Sequence, residues 1–367
     1  MDNNIIFKHG YWEVNGKKYF NKPSAVYDAS QTRADIKFNY NDHIWDVFDR
    51  TQLGKYKLND LYRYRARQIR DKYDYLVLYY SGGCDSHNIL RTFIDNNIPL
   101  DEVCVKWPQA LRDGKYYTVN NLDTSAENYW SEWNYCVKPR LEWIAANTNI
   151  KINIIDPITE FRKQNAETVI NQVDHNRNPG AVLLNNVASN NTVLYDSNTG
   201  HIYGIDKPLL YLDNSNNIYM FFSDLALSNS SKYLKDPESI EYFYWSTDIP
   251  TLPFEMAYQM SIYFQHNPEH RIYLKWKDKN ICEQFQNNLA RKICYTTWDF
   301  MFQADKPKNS ARNDKFKWVN NVDELSDIRN SINNLFMERK QGVIEKYVDE
   351  NGIYNTCRTK FFRVVTL

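Results

Sequence analysis

An open parallel α/β sheet with helices on both faces is the fold class that the sequence predicts. Three observations carry it: short continuous apolar runs bounded by turn residues, helical periodicity between those runs, and a glycine turn directly after the first of them. The 367 residues suffice for one large or two ordinary domains. Tyr75–Tyr80 is the first run, and its length and apolar continuity suit a strand buried on both faces. It ends in Ser81-Gly82-Gly83-Cys84-Asp85-Ser86, after which Ile89, Leu90, Phe93 and Ile94 recur at helical spacing up to the breaker Asn96-Asn97-Ile98-Pro99. The spacing then predicts strands over Val103–Trp107 and Lys151–Asp156, with a helix between them from about 126 to 146, kinked near Pro139. A further helical stretch, about 160 to 187, leads to a fourth strand over His201–Asp206.

The flanks read differently. Tyr11–Val14 and Lys18–Phe20 are short strands joined by Asn15-Gly16, a strong hairpin signal. From Leu58 a helix places Leu58, Leu61, Tyr62, Ala66 and Ile69 on one face and Arg63, Arg67 and Arg70 on the other. That basic face suits solvent or a phosphate. Beyond Ser223 the segments Tyr242–Phe264, Asn280–Lys292 and Val322–Tyr347 read as helices. The sequence therefore divides into an extension at 1–70, an α/β domain at 71–223 and a mainly helical region at 224–367.

Composition narrows the function classes. Lys plus Arg and Asp plus Glu each number 45, so the net charge is zero, which argues against attachment to nucleic acid by bulk electrostatics. A hydrophobic content of 43% and an aromatic content of 15% exclude general disorder. The six cysteines form no C-x-x-C pair and no zinc-finger pattern, which reads as reduced thiols. The first residues, MDNNIIFKHGYW, lack the basic and apolar segments of a signal peptide, and no run approaches the ~18 apolar residues of a membrane span. A cytoplasmic location is expected, with no membrane partner.

The glycine turn carries the chemistry. Two glycines after a buried strand let the backbone approach a ligand closely, and the following helix directs its unpaired N–H groups at the same place. Ser81 and Ser86 add hydroxyls, giving an anion cradle suited to phosphate or pyrophosphate. Asp85 would repel phosphate unless Mg²⁺ bridges them. No G-x-x-x-x-G-K-[ST] occurs, and no G-x-G-x-x-G follows a strand.

The turn resembles the SGGxDS signature of the PP-loop ATP pyrophosphatases, the adenine nucleotide α-hydrolase-like superfamily that includes asparagine synthetase, GMP synthetase and tRNA-modifying ligases. The resemblance covers about residues 71–210 and implies a PP-loop fold of the HUP type. It implies that Ser81, Gly82, Gly83 and Ser86 bind the pyrophosphate of ATP and that Asp85 helps hold Mg²⁺. It also implies cleavage of ATP between the α and β phosphates, with AMP passing to a carboxylate or carbonyl oxygen that an amine then attacks. Cys84, at the variable position, reads as a residue that packs or faces solvent rather than one that reacts. At the end of the fourth strand, Gly204-Ile205-Asp206-Lys207-Pro208 stands where asparagine-synthetase-like enzymes carry an acidic loop, although their G-E-x-x-D-E pattern is absent. Asp206 there is a candidate second metal ligand and Lys207 a cation for departing pyrophosphate. Asp305-Lys306-Pro307 repeats the tripeptide, making Lys306 a further candidate. The expected catalytic set is thus Asp85, Lys207 and Lys306. This context is similar to phage-encoded PP-loop proteins of this size. The asparagine synthetase resemblance would imply a glutaminase domain headed by Cys, and Asp at position 2 with the short first region leads us to expect free ammonia or another amine as the nucleophile instead. Two alternatives remain open: sulfur or nitrogen insertion into a nucleobase of nucleic acid, with Arg63, Arg67, Arg70 and the loop at 306–317 as basic contacts, and a nucleotide-binding protein without catalysis. Glu241 and Glu255 are candidate bases whose simpler reading is capping or surface structure.

Overall fold

The chain enters through a small antiparallel sheet. The computed structural model describes residues 9–112, 132–157, 159, 198–205, 207–224, 239–295, 326–350 and 354–367. β1 (Tyr11–Val14) and β2 (Lys17–Tyr19) form the hairpin that Asn15-Gly16 predicts. Both turn residues have positive φ, 49° and 79°, as a type I′ turn requires. α1 (Lys22–Thr32) starts on Asn21, whose side chain accepts the Ser24 N–H, and leads to β3 (Lys37–Asn39), which pairs with β1. After the short α2 (Asp42–Asp46), α3 (Leu58–Lys72) buries the stripe of Leu58, Leu61, Tyr62, Ala66 and Ile69. Arg65 shares that buried face, where Glu241 meets its charge at 2.6 Å.

Five strands then build one all-parallel sheet with helices around it. β4 (Tyr75–Tyr79) runs into α4 (Cys84–Asp95), and β5 (Glu102–Lys106) follows. Beyond the short α5 (Gln109–Arg112), a π-helical turn at Glu132–Val137 precedes α6 (Lys138–Asn147). The π-helical turn runs directly into α6, with Val137 in helical dihedrals, so the helix passes from π to α spacing just before Pro139. β6 (Lys151–Ile155) and β7 (Thr199–Tyr203) complete four of the strands. β8 (Leu209–Leu212) and β9 (Asn217–Phe221) form a hairpin, and β10 (Ile240–Tyr242) supplies the fifth parallel strand. The sheet order is β10-β7-β4-β5-β6. The helical expectation over 160 to 187 lies outside the described residues.

The region beyond 223 differs from the sequence reading in two places. Tyr242 ends a strand rather than starting a helix, and α7 spans Thr251–His266. A three-residue parallel strand is too short to show a period of its own. α8 (Lys279–Cys294) and α9 (Ser326–Lys340) follow, and β11 (Phe362–Thr366) pairs with β9 to make a second antiparallel sheet, β11-β9-β8. One hydrophobic core runs through all three regions, from Trp12 and Leu78 to Phe254 and Phe362. A buried carboxylate, Asp224, pins the ends of the chain together: it accepts Lys22 Nζ at 2.5 Å, Trp12 Nε1 at 2.8 Å and the Cys357 N–H at 2.9 Å. Among the described residues no helix is long and apolar enough to cross a membrane.

Candidate anion site at the sheet switch point

The chain builds β4, β5 and β6 outward in one direction, then returns to place β7 on the other flank of β4. Such a reversal leaves a crevice beyond the carboxyl ends of the two diverging strands, where ligands of open α/β sheets bind. β4 and β7 are in register, Tyr79 opposite Tyr203, so the segments that follow them, 80–83 and 204–205, leave the sheet side by side. Gly204 lets them touch. A Cβ there would stand 2.9 Å from Ile89 Cδ1 and 3.2 Å from both the Asp85 carbonyl carbon and the Ser86 nitrogen. The motif SGGCDS therefore meets Gly204, and Lys207 after it, in space.

Gly82 has φ +70°, which glycine adopts without strain, and a Cβ on it would lie 2.8 Å from Val137 Cγ2. Val137 thus closes one side of the loop, while Ser81 is exposed and Gly83 and Asp85 are partly so. Within the loop the Ser81 N–H donates to Ser86 Oγ and the Gly83 N–H to Ser81 Oγ, each at 3.2 Å. These contacts are at the long end of the hydrogen-bond range and are readily exchanged for a better acceptor. α4 begins after Gly83 with no side-chain cap, so its first turn points amide groups with no intrahelical acceptor at the loop. Cys84 is partly buried and packs against the core.

Asp85, in that first turn, is the centre of a charge cluster. Lys207 Nζ donates to its Oδ1 at 2.7 Å, the Tyr295 hydroxyl donates to the same oxygen at 2.5 Å, and Arg291 Nη2 reaches Oδ2 at 3.4 Å. The Tyr244 hydroxyl donates to the Asp85 carbonyl at 2.8 Å while accepting Asn88 Nδ2 at 2.9 Å, and its ring stacks on Tyr295 at 5.3 Å. Burial alone would raise the Asp85 pKa. The charges of Lys207 and Arg291, with hydrogen bonds from Lys207 and Tyr295, outweigh it and hold the carboxyl well below its ordinary range. Burial, and next to it the Asp85 charge, pushes the Tyr295 phenol far upward, so it stays a donor. On the other flank the Tyr80 hydroxyl meets His87 Nδ1 at 3.0 Å. Burial, then the nearby Arg140 and Arg91, lowers the His87 pKa to about 3, so that ring is neutral.

Among the described residues two cations face one carboxylate in the cluster, an excess of positive charge. Its donors are also under-used among the described residues. Lys207, whose side chain is 4% exposed, gives Asp85 one of its three N–H donors, and the buried Nε of Arg291 has no acceptor. An anion fits this surplus, and glycine at 82 lets the loop pack against Val137, which a Cβ would strike at 2.8 Å. A resident Mg²⁺ fits poorly, because the Asp85 carboxylate is already taken by cations and no group of three or more His, Cys, Asp or Glu assembles among the described residues.

The structure thus brings together Ser81, Gly82, Gly83, Asp85, Ser86 and Lys207; Asp206 and Lys306 lie outside the described residues. Arg291, Tyr295 and Tyr244 were not legible as site residues. Tyr244 stands within a stretch that reads as aromatic core, and the other two close an ordinary amphipathic helix. Glu241 and Glu255 are elsewhere. Glu241 is buried against Arg65, Lys72 and Tyr73, and Glu255 is buried too, accepting the Gly54 N–H at 2.8 Å. Of the basic face on α3, Arg63 pairs with Asp60, and Arg70 pairs with Asp101 just before β5, at the opposite end of the strands from the loop. Comparisons with protein-family models, curated proteins and solved structures returned no match.

Proposed function

We propose that this chain is an ATP-dependent enzyme that releases AMP and pyrophosphate, activating a carboxylate or carbonyl oxygen for attack by an amine. One observation supports the reading above the rest: the first turn of α4, Lys207 and Arg291 converge with surplus donors beside a glycine loop at the sheet switch point. A surplus of buried donors is costly unless a ligand supplies acceptors, and a polyphosphate supplies many. Magnesium-bound ATP, when present, brings the α–β phosphoanhydride whose cleavage drives the reaction.

The chain's own groups have defined tasks in this reading. The amides of the glycine loop and of the first turn of α4 hold non-bridging phosphate oxygens. The Ser81 and Ser86 hydroxyls exchange their long internal contacts for the same oxygens. Lys207 and Arg291 neutralise the charge that grows on pyrophosphate as it leaves, the kind of electrostatic stabilisation worth about 10²–10³ in rate per donor. Tyr295 and Tyr244 fix the position of Asp85 through its carboxylate and its carbonyl.

The test is a product assay. The protein is incubated with ATP, MgCl₂, a panel of carboxylates and either ammonia or hydroxylamine. AMP and pyrophosphate in equal amounts are expected, with a loss of roughly a hundredfold or more in Lys207→Met. Formation of ADP and phosphate would overturn the proposal.

A further inference from the structure

Lys207 also belongs to a second site. Besides meeting Asp85, it lines a small polar pocket with Trp245, Ser223, Asn287 and Glu283. Lys207 and Trp245 are buried and the other three are half-buried, so the first two form the floor and the rest the rim. The floor offers donors only. Trp245 Nε1 is buried with no acceptor among the described residues, and Lys207 gives Asp85 one of its three N–H groups. A volume of about 10 Å³ takes a single water-sized atom there. The rim has the opposite character. Asn287 and Glu283 precede Arg291 by four and eight residues on α8, so the three share one helix face, and the pocket extends along it from the anion site. Glu283 makes no ion pair among the described residues. Arg358, whose charge it feels at longer range, lies over the rings of Trp276 and Phe221 at 4.8 and 5.1 Å.

We propose that this pocket binds the acceptor of the reaction and selects a small carboxylate compound that carries an amine. One carboxylate oxygen sits between Lys207 and Trp245, and the ammonium group meets Glu283. Calling the ligand the acceptor rests on the function proposed above; its chemistry follows from the pocket alone. A buried N–H without a partner is costly, so the floor favours an acceptor atom, and its size admits one oxygen but neither a phosphate group nor a ring. Charge sets the choice at the rim. Glu283 repels a second carboxylate, and it forms a charge-assisted hydrogen bond with an ammonium that an apolar tail cannot supply. A water fits the floor as well, yet it brings no cation to Glu283. Lys207 is the wall that the two sites share, which places the acceptor's carboxylate beside the departing pyrophosphate.

Equilibrium dialysis without nucleotide tests this, using radiolabelled glycine, β-alanine and γ-aminobutyrate against acetate, propionate and butyrate. At least one amino acid is expected to bind about tenfold or more tightly than its amine-free counterpart. Glu283→Gln is expected to abolish that preference, and Trp245→Phe, which removes only the N–H from the floor, to weaken the bound amino acid about fivefold. The proposal is overturned if no amino acid outbinds its counterpart, or if none of the six binds, in which case the pocket holds water alone. Retention of the preference in Glu283→Gln overturns it too, as does unchanged affinity in a Trp245→Phe protein that melts cooperatively. Should Trp245→Phe fail to fold, the half-buried Glu283 decides the matter by itself. The two readings also fail separately: amino-acid binding without AMP release removes the ATP-dependent reaction and leaves the pocket, whereas AMP release without such binding removes the pocket alone.

Discussion

Replacing Asp85 by Asn and Lys207 by Met, singly and together, turns the central ion pair into a measurable cycle. The two partners differ in solvent access, with 23% of the Asp85 side chain exposed against 4% for Lys207. Asp85→Asn leaves the Lys207 charge buried without its carboxylate, a situation that costs about 3 kcal/mol at the lower end of the range for broken buried pairs. Lys207→Met leaves Asp85 with Arg291, Tyr295 and some water, so its cost is about 1 kcal/mol. The double variant leaves only Arg291, 26% exposed, without its carboxylate and loses about 1.5 kcal/mol, which makes the coupling about −2.5 kcal/mol. Urea denaturation followed by circular dichroism reads these values directly. With a slope of about 3 kcal/mol per molar, the midpoint drops by roughly 1 M for Asp85→Asn and roughly 0.3 M for Lys207→Met. The reasoning is refuted if Lys207→Met costs as much as Asp85→Asn, or if the coupling is smaller than about 0.5 kcal/mol.

Three further predictions rest on separate observations. Gly204→Ala places a Cβ against the backbone of Asp85 and Ser86, which cannot step aside, so stability falls by about 1–3 kcal/mol and pyrophosphate affinity falls with it; unchanged affinity in titration calorimetry would contradict the close approach of the two loops. His87, whose pKa is lowered to about 3 in the fold and is near 6.5 unfolded, makes stability fall with acidification. The unfolded chain takes up that proton as pH drops through 6.5 while the folded chain does not, so about 2 kcal/mol is lost between pH 7.5 and pH 5, and a His87→Gln variant should lack that portion of the slope. Asp85 adds nothing in this window, since its carboxyl titrates below it. Asp224→Asn leaves Lys22, 2% exposed, without a counter-charge, and should cost about 3 kcal/mol in denaturant titrations; a loss under about 1 kcal/mol would show that the pin between the chain ends is weak.

Legibility followed the range of the interactions. The hairpin at Asn15-Gly16, the strand at Tyr75–Tyr79 and the glycine turn after it could be read locally, because turn chemistry and apolar continuity act over a few residues. β10 could not, because three residues carry no period and the strand exists only by pairing with β7. Arg65 shows the same limit inside a correctly read helix: it lies on the buried face of α3, where local pattern has no place for a charge, and its partner Glu241 is 176 residues away.

What the sequence by itself determined is the backbone of the site: a strand, a turn whose Gly82 takes a positive φ, and a helix start carrying Asp85 and Ser86. Backbone preferences and helix-end amides are properties of neighbouring residues, so they survive without knowledge of the rest of the chain. Tertiary structure alone decided which charges meet Asp85. Lys207, Arg291 and Tyr295 stand 122, 206 and 210 residues from it, and side chains that far apart leave no spacing in the sequence to read. Only the return of the chain across β4, and the packing of α8 over the loop, sets their distances and therefore the excess charge at the site.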